Sequence, residues 1–487
     1  MKRIIYTWLM VAVLLTTGSC RKFLEVAPPD RMSDAAFWKT KGDVESAIAN
    51  AYGFLFDILT NGPYVPANGD IRAGEFNATN GFDVFTAVGQ NDLTNFSRLD
   101  RYNMNALSDW YPFYQSIAAC NIDLVRVPDV KALSPQEVKQ YMAELRFVRA
   151  FTYFFISRIY GDVPLYVEAY DQHPLPRTPM VEVLQFCLKE LDEIKDDLPW
   201  QYDDPSKWGV RAARGAIYGL MANVNMWAAG FDKANQQKYW TGAADAIRAL
   251  RASGTFELLP IEDFRKVFDG RTKESLFEFS VNANYGTTTR YVSVGQWTLH
   301  SPLVLNYATS DCFFESDYVK RIFPQDKPDK RLDLWFYAPY ANNTSAMFVK
   351  YSNVVNMITT ASWLLDDNLI IFRYGGELLL GAEAMANLGK NDEAIEILNL
   401  VRKRAGAQQY SGGTDLKQFI FMERQRELIG EGVRWYDLVR TGRVTDPVQC
   451  KNFLTPEQFN RGGWTWPISA DARNFNPNIT LNTYWTK

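Results

Sequence analysis

Apolar residues recur at three- and four-residue steps over most of this chain, the spacing of helices that bury one face. Val44, Ala47, Ile48, Ala51, Tyr52, Leu55 and Phe56 form one such face, preceded by the cap-type residues Ser33, Asp34 and Asp43. The pattern returns at Trp110 to Val125. It is strongest from Pro135 to Ile159, where Val138, Met142, Leu145, Val148, Phe151, Phe155 and Ile159 make a continuous stripe and Pro135 after Ser134 marks the start. Further helices are expected at Pro179 to Leu198, Arg211 to Ala229, Trp240 to Ser253, Ile371 to Leu388 and Asp392 to Arg404. Gly389-Lys390-Asn391 joins the last two, and the small residues Gly381, Ala382 and Ala394 let them approach closely. That pair has the length, about 34 residues, and the small-residue placement of a tetratricopeptide repeat.

Two stretches break the period. Tyr64 to Tyr102 alternates Gly69, Gly74, Gly81 and Gly89 with asparagines and phenylalanines, and Tyr285 to Tyr351 is rich in Gly, Thr and aromatic residues. Long aperiodic stretches inside a large domain are usually functional or disordered, and the aromatic content argues against disorder. Ser275 to Val281 alternates like a short strand, and Leu369-Ile370-Ile371-Phe372, between Asp367 and Arg373, reads as a buried helix start. The fold class expected is mainly α: a tetratricopeptide-like scaffold of helical hairpins with a large, irregular, loop-rich lobe.

The first twenty residues change where this scaffold should sit. Lys2 and Arg3 precede an apolar run from Trp8 to Leu15, then Thr16, Thr17, Gly18, Ser19 and Cys20. This is an export signal whose apolar run is too short to span a bilayer. Gly18-Ser19-Cys20 resembles a bacterial lipobox, which makes Cys20 the expected lipidated N-terminus of the mature chain. Residues 1–19 are then a signal peptide, 20–32 a lipidated tether carrying Pro28 and Pro29, and 33–487 one domain. Loss of Lys2 and Arg3 moves the formal charge from −4 to −6. No cofactor motif is present: there is no Gly-x-x-x-x-Gly-Lys run, and Gly375-Gly376 falls inside a helix.

Composition narrows the chemistry. Among 487 residues there are 14 Trp, 25 Tyr and 31 Phe but only two histidines, His173 and His300, so a histidine-based metal site is not expected. The negative charge gives no field for nucleic acid. Cys120, Cys187, Cys312 and Cys450 form no Cys-x-x-Cys pair, and their burial-prone settings favour free thiols.

Four segments share a likeness. They are Phe23-Leu24-Glu25-Val26-Ala27-Pro28-Pro29; Trp110-Tyr111-Pro112-Phe113-Tyr114 running on to Ile117 and Asn121; Ala143-Glu144-Leu145-Arg146-Phe147-Val148-Arg149-Ala150 with Tyr160-Gly161-Asp162-Val163-Pro164-Leu165; and Glu423-Arg424-Gln425-Arg426-Glu427-Leu428 with Gly430-Glu431-Gly432-Val433-Arg434-Trp435-Tyr436. In this order they resemble the SusD/RagB-like outer-membrane lipoproteins of the Bacteroidetes. Within the domain, the resemblance implies an N-terminal part of about 33–255 and a C-terminal RagB/SusD part of about 256–487. It also implies a cell-surface binder of glycan that hands oligosaccharide to a SusC-like, TonB-dependent transporter without catalysis, anchored in outer-membrane lipid through Cys20. The charged residues Glu423, Arg424, Arg426, Glu427, Glu431 and Arg434 read as paired helix faces, because no nucleophile or proton shuttle accompanies them.

A sugar presents C–H faces and a rim of hydroxyls, so its receptor needs aromatic planes flanked by amide, carboxylate and guanidinium groups. Both irregular stretches have that make-up. The ligand surface is expected to use Arg72, Phe76, Asn77, Phe82, Phe85, Asn95 and Phe96 from the first, and Tyr291, Trp297 and Trp335 from the second. Rival readings are an all-helical secreted glycoside hydrolase, a tetratricopeptide scaffold that binds only proteins, and a family member that binds peptide or another nutrient.

Overall fold

The computed structural model describes residues 37–79, 83–282, 291–341, 343–357 and 362–486. Cys20 and the tether therefore lie outside the described residues. Helix α1 (Lys41–Asn61) starts where Thr40 accepts a hydrogen bond from the Asp43 amide while the Asp43 carboxylate accepts one from the Thr40 amide, and α2 (Tyr111–Arg126) follows with Pro112 in its first turn. The long α3 (Pro135–Tyr160) has the same reciprocal cap between Ser134 and Glu137, and stops at Gly161, whose φ of 77° suits glycine. Next come α4 (Met180–Ile194), α5 (Arg214–Phe231), α6 (Gln236–Ala252), α7 (Tyr374–Asn387), α8 (Asn391–Arg404), α9 (Leu416–Glu427) and α10 (Arg434–Arg440).

These helices pack as hairpins: α1 on α2, α3 on α4, α5 on α6 and α7 on α8, with α6 also against α7. The predicted hairpin pairing is present, but the close approach at Gly381 is to the preceding hairpin and not to α8: a Cβ there would lie 2.6 Å from the Ile247 side chain of α6. Arg146 of α3 donates to Glu190 at 2.8 Å and to Glu193 at 2.5 Å, and Arg149 pairs with Glu190, so these arginines brace α3 against α4. One contiguous apolar cluster includes Val44 and Trp485, tying the two ends of the described chain together.

Strands are short and come in antiparallel pairs. β1 (Phe76–Ala78) pairs with β3 (Cys312–Phe314), and β2 (Ser275–Phe279) pairs with β8 (Leu369–Arg373). β4 (Phe336–Tyr337) pairs with β5 (Met347–Phe348), and β6 (Val354–Met357) pairs with β7 (Ser362–Leu365). Leu369 to Phe372 is thus a strand rather than a helix start. A partner strand, β2, satisfies its backbone, and the helix begins only at Tyr374. Cys120, Cys187, Cys312 and Cys450 are buried free thiols.

The C-terminal charged motif is interior. Arg331, fully buried, reaches Glu423 at 2.7 Å and Glu427 at 2.9 Å; Arg373 reaches Glu427 and Glu431, each at 2.7 Å; Lys350 reaches Glu431 at 2.5 Å. Arg402 and Arg404 close on Glu423 and Glu427. Burial alone would raise the Glu423 carboxyl, but Arg331, Arg426 and Arg402 outweigh it and hold it at about 2. The Gly430-Glu431-Gly432 turn also has a steric reason. Gly432 has a φ of 74°, and a Cβ on Gly69 would lie 1.9 Å from the Gly432 carbonyl oxygen, so the first irregular stretch and the C-terminal motif touch through two glycines.

Candidate functional site

The two irregular stretches meet. β1 from the first lies beside β3 from the second with Phe76 opposite Phe314, their rings 4.1 Å apart. Beyond β1, Thr79 donates through its amide and its hydroxyl, each at 2.8 Å, to the Asp311 carbonyl. Asp311 in turn donates its amide to the Trp297 carbonyl at 2.9 Å. That bond closes a loop from Trp297 to Asp311 that carries Tyr307.

A cluster of rings sits at this junction. Phe85, on the short helix Asp83–Gly89, stacks on Tyr102 at 5.6 Å and meets Trp297 edge-on at 5.1 Å; Tyr102 lies 5.4 Å and Tyr291 6.1 Å from Trp297. Phe85, Tyr291 and Trp297 are therefore brought together as expected from sequence, but as a buried floor. Tyr102 is the half-buried cap of that floor, and its hydroxyl donates to the half-buried Asp311 carboxylate. Tyr102 and Asn103 have φ of 58° and 59°, a left-handed backbone that costs roughly 1–3 kcal/mol per non-glycine residue and is typical of binding sites. Burial, with the Asp311 contact, raises the Tyr102 hydroxyl, and burial raises the Asp311 carboxyl against the opposing Tyr102 hydrogen bond. At neutral pH Tyr102 is therefore a fixed donor.

Other expected residues fall elsewhere. Arg72 is buried: it donates to Asn91 and to the Gly463 and Thr465 carbonyls, at 2.7 to 3.2 Å, with its guanidinium 4.7 Å from the Trp435 ring. It clamps the first stretch to the C-terminal tail and offers nothing to solvent; burial without an acidic partner pulls its pKa down to about 9. Phe76 is buried between the strands. Trp335 is 2 % exposed, with the Lys350 ammonium 4.1 Å from its ring, so it belongs to the charged interior and not to a surface. Asn77 is half-buried and Asn95 exposed, at the start of the short helix Phe96–Leu99 that contains Phe96. Phe82 lies outside the described residues.

The groups that face outward at the junction and on the loop it closes were not singled out from sequence. Tyr102 and Asp311 are half-buried, Tyr307 is 46 % exposed, and half-buried Trp363 of β7 meets Tyr307 edge-on at 6.1 Å. The one signal for them is adjacency: Tyr102 ends the first stretch, and Tyr307 and Asp311 follow Trp297 in the second.

A crystal structure of a SusD homolog from Bacteroides thetaiotaomicron superposes with a TM-score of 0.87 and 34% identity, over 92% of this chain and 99% of that one. This chain belongs to the SusD family. The SusD family model matches residues 337–485, and a model described as starch-binding associating with outer membrane matches residues 22–226. The SusD-like protein P38 of Formosa agariphila is 26% identical over 99% of both chains. Surface glycan-binding protein A of Bacteroides uniformis, 22% identical, shares the fold with a TM-score of 0.72 over 91% of this chain and all of that one. In this SusD-family protein, no helix among the described residues is long and apolar enough to cross a membrane.

Proposed function

We propose that this SusD-family protein is a cell-surface lipoprotein, held in the outer membrane by acyl chains on Cys20 and facing outward. In this reading it captures oligosaccharide and delivers it to a SusC-like TonB-dependent transporter without chemistry of its own. The observation that carries the reading is the junction of the two irregular stretches: buried Phe85, Tyr291 and Trp297 support half-exposed Tyr102 and Asp311, and the loop closed between Trp297 and Asp311 carries exposed Tyr307, which packs on Trp363. That is a rigid aromatic base with donors and acceptors at its edge, the complement of a sugar ring. The export signal, the lipobox-like Gly18-Ser19-Cys20 and the family's association with starch binding at the outer membrane support the same reading. Glu423, Glu427 and Glu431 are each paired with buried cations, which supports a binder over a hydrolase.

Purified protein titrated with a panel of neutral and acidic polysaccharides tests it. Binding that falls about fivefold in Tyr307→Ala, at about 1 kcal/mol per stacked ring, is the expected result. Binding of peptides with no glycan retained, or release of reducing sugar, overturns it. Co-purification with the SusC-like transporter from membranes, lost in Cys20→Ala, tests the delivery step.

A further inference from the structure

A second aromatic surface lies on the first hairpin, built from residues outside the junction. Trp110 at the N-cap of α2 and Phe113 and Ile117 within it are buried, which leaves Tyr111 exposed and Tyr114 half-buried one position along. After α3 stops at Gly161 the chain folds back over this side. The Tyr153 hydroxyl accepts the Tyr166 amide and donates to the Tyr166 carbonyl, both at 2.8 Å, and the Tyr114 hydroxyl donates to the Pro164 carbonyl at 2.8 Å. The C-terminal helix Ala470–Phe475 forms the third side. Together they enclose an open cleft of about 1070 Å³.

Its walls are fixed in advance. Trp110 meets Tyr114 at 5.9 Å and Tyr114 meets Tyr166 at 5.8 Å, both edge-on, and the Tyr166 hydroxyl is held by the His173 carbonyl at 2.8 Å. At the mouth the rings are uncovered: Tyr111 is 61 %, Tyr170 57 % and Phe475 87 % exposed. Such a run of exposed aromatics is unusual on a soluble surface and marks a contact site. The rim carries the carboxylates of Asp109, Glu168, Asp171 and Asp471, of which Asp109 already accepts the Tyr111 amide at 2.9 Å and Asp171 meets the His173 amide and ring nitrogen at 2.9 and 2.8 Å, and its described lining includes no lysine or arginine. The adjacent cation, Arg126, donates to the Tyr170 hydroxyl at 3.0 Å.

We infer that this cleft is a second saccharide site, selective for neutral sugar chains. The inference rests on the glycan-binding reading above but uses different residues. Ionised carboxylates only accept hydrogen bonds, so the occupant must bring donors, and the rings ask for C–H faces. Sugar hydroxyls and ring faces supply both. Uronate or sulfated chains would set their own anions against four carboxylates. Two sites on one chain would also raise the apparent affinity for a long polysaccharide without new contacts at either.

Isothermal titration of the mature protein with cellohexaose, xylohexaose, mannohexaose and maltohexaose, and with oligogalacturonate as the acidic counterpart, tests this. The variants are Tyr111→Ala with Tyr170→Ala, whose exposed rings are dispensable for folding, and Tyr307→Ala at the junction. The expected result is that a neutral chain binds and that the cleft double variant loses about tenfold in affinity for one of two binding events, with thermal midpoint unchanged. Tyr307→Ala weakens the other event. If neutral sugar binds and responds to Tyr307→Ala but not to the cleft variant, this inference fails and the proposed function stands. If no glycan binds at all, both fail. Oligogalacturonate binding that is lost in the cleft variant, or a lysine-rich peptide displacing neutral sugar from it, also overturns the assignment.

Discussion

Carboxylates crowd two regions of this protein and have opposite fates. Around α9, Glu274, Glu423, Glu427 and Glu431 are buried, and each meets at least one arginine or lysine, so the charges close on themselves. Around the cleft on α2, Asp109, Glu168, Asp171 and Asp471 stand beside exposed rings, with no lysine or arginine in the described lining. The first arrangement is architecture, because desolvated ions persist only when paired. Asp171 is taken up by His173 and Asp109 by the Tyr111 amide, but the second arrangement leaves the Glu168 and Asp471 carboxylates and the ring faces over, which is what a ligand can use.

The sharpest way to break the interior is to remove a cation from it. Arg331→Met removes the cation that Glu423 and Glu427 share, leaving Arg402 and Arg426 on the first and Arg373 and Arg404 on the second, and should lower unfolding stability by about 3 kcal/mol in urea denaturation. Its pH profile sharpens the point. In the native protein Glu423 sits near 2 and Asp437 near 2, both below their unfolded values of 4.5 and 3.8. A depressed carboxyl contributes stability above its unfolded value and loses it as pH falls through its folded value, so stability should drop between about pH 4.5 and 2. In Arg331→Met that acid limb should shrink, since Glu423 is then held down less.

Trp297→Ala comes next: it empties the floor of the junction and should destabilise by about 3 kcal/mol, losing glycan binding only as a consequence of the collapsed floor. Tyr102→Phe keeps the ring and deletes the donor to Asp311, at about 1 kcal/mol, and circular dichroism melts with parallel glycan titration would separate its stability and binding effects. Smallest of all, Tyr170→Ala in the cleft should change stability by less than about 0.5 kcal/mol while weakening sugar binding. A large loss of stability there would place Tyr170 with the interior residues and erase the contrast.

Much of the scaffold was legible from spacing. The stripe from Val138 to Ile159 is a helix because its period is 3.6, Ser134 and Glu137 cap it reciprocally, and Gly161 ends it. Leu369 to Phe372 reads from sequence as a helix start because an apolar run of four has no period to speak of, and only the presence of β2 decides that it is a strand. Among candidate site residues, Phe85, Tyr291 and Trp297 do converge, but Arg72 and Trp335 turned out to be interior clamps. A buried arginine satisfied by carbonyls looks the same in sequence as one that waits for a ligand. The cleft went unread for a related reason. Trp110, Tyr111, Phe113 and Tyr114 form a single aromatic motif, and which rings face out depends on what packs on the other side of α2.

By itself, then, the sequence determined the helical hairpins and the family, because these depend on local period and order along the chain. The tertiary structure alone decided which aromatics and carboxylates are spent on one another and which remain for a partner. Exposure and pairing arise between segments hundreds of residues apart, as when Arg72 meets the Gly463 and Thr465 carbonyls. No local pattern carries that information.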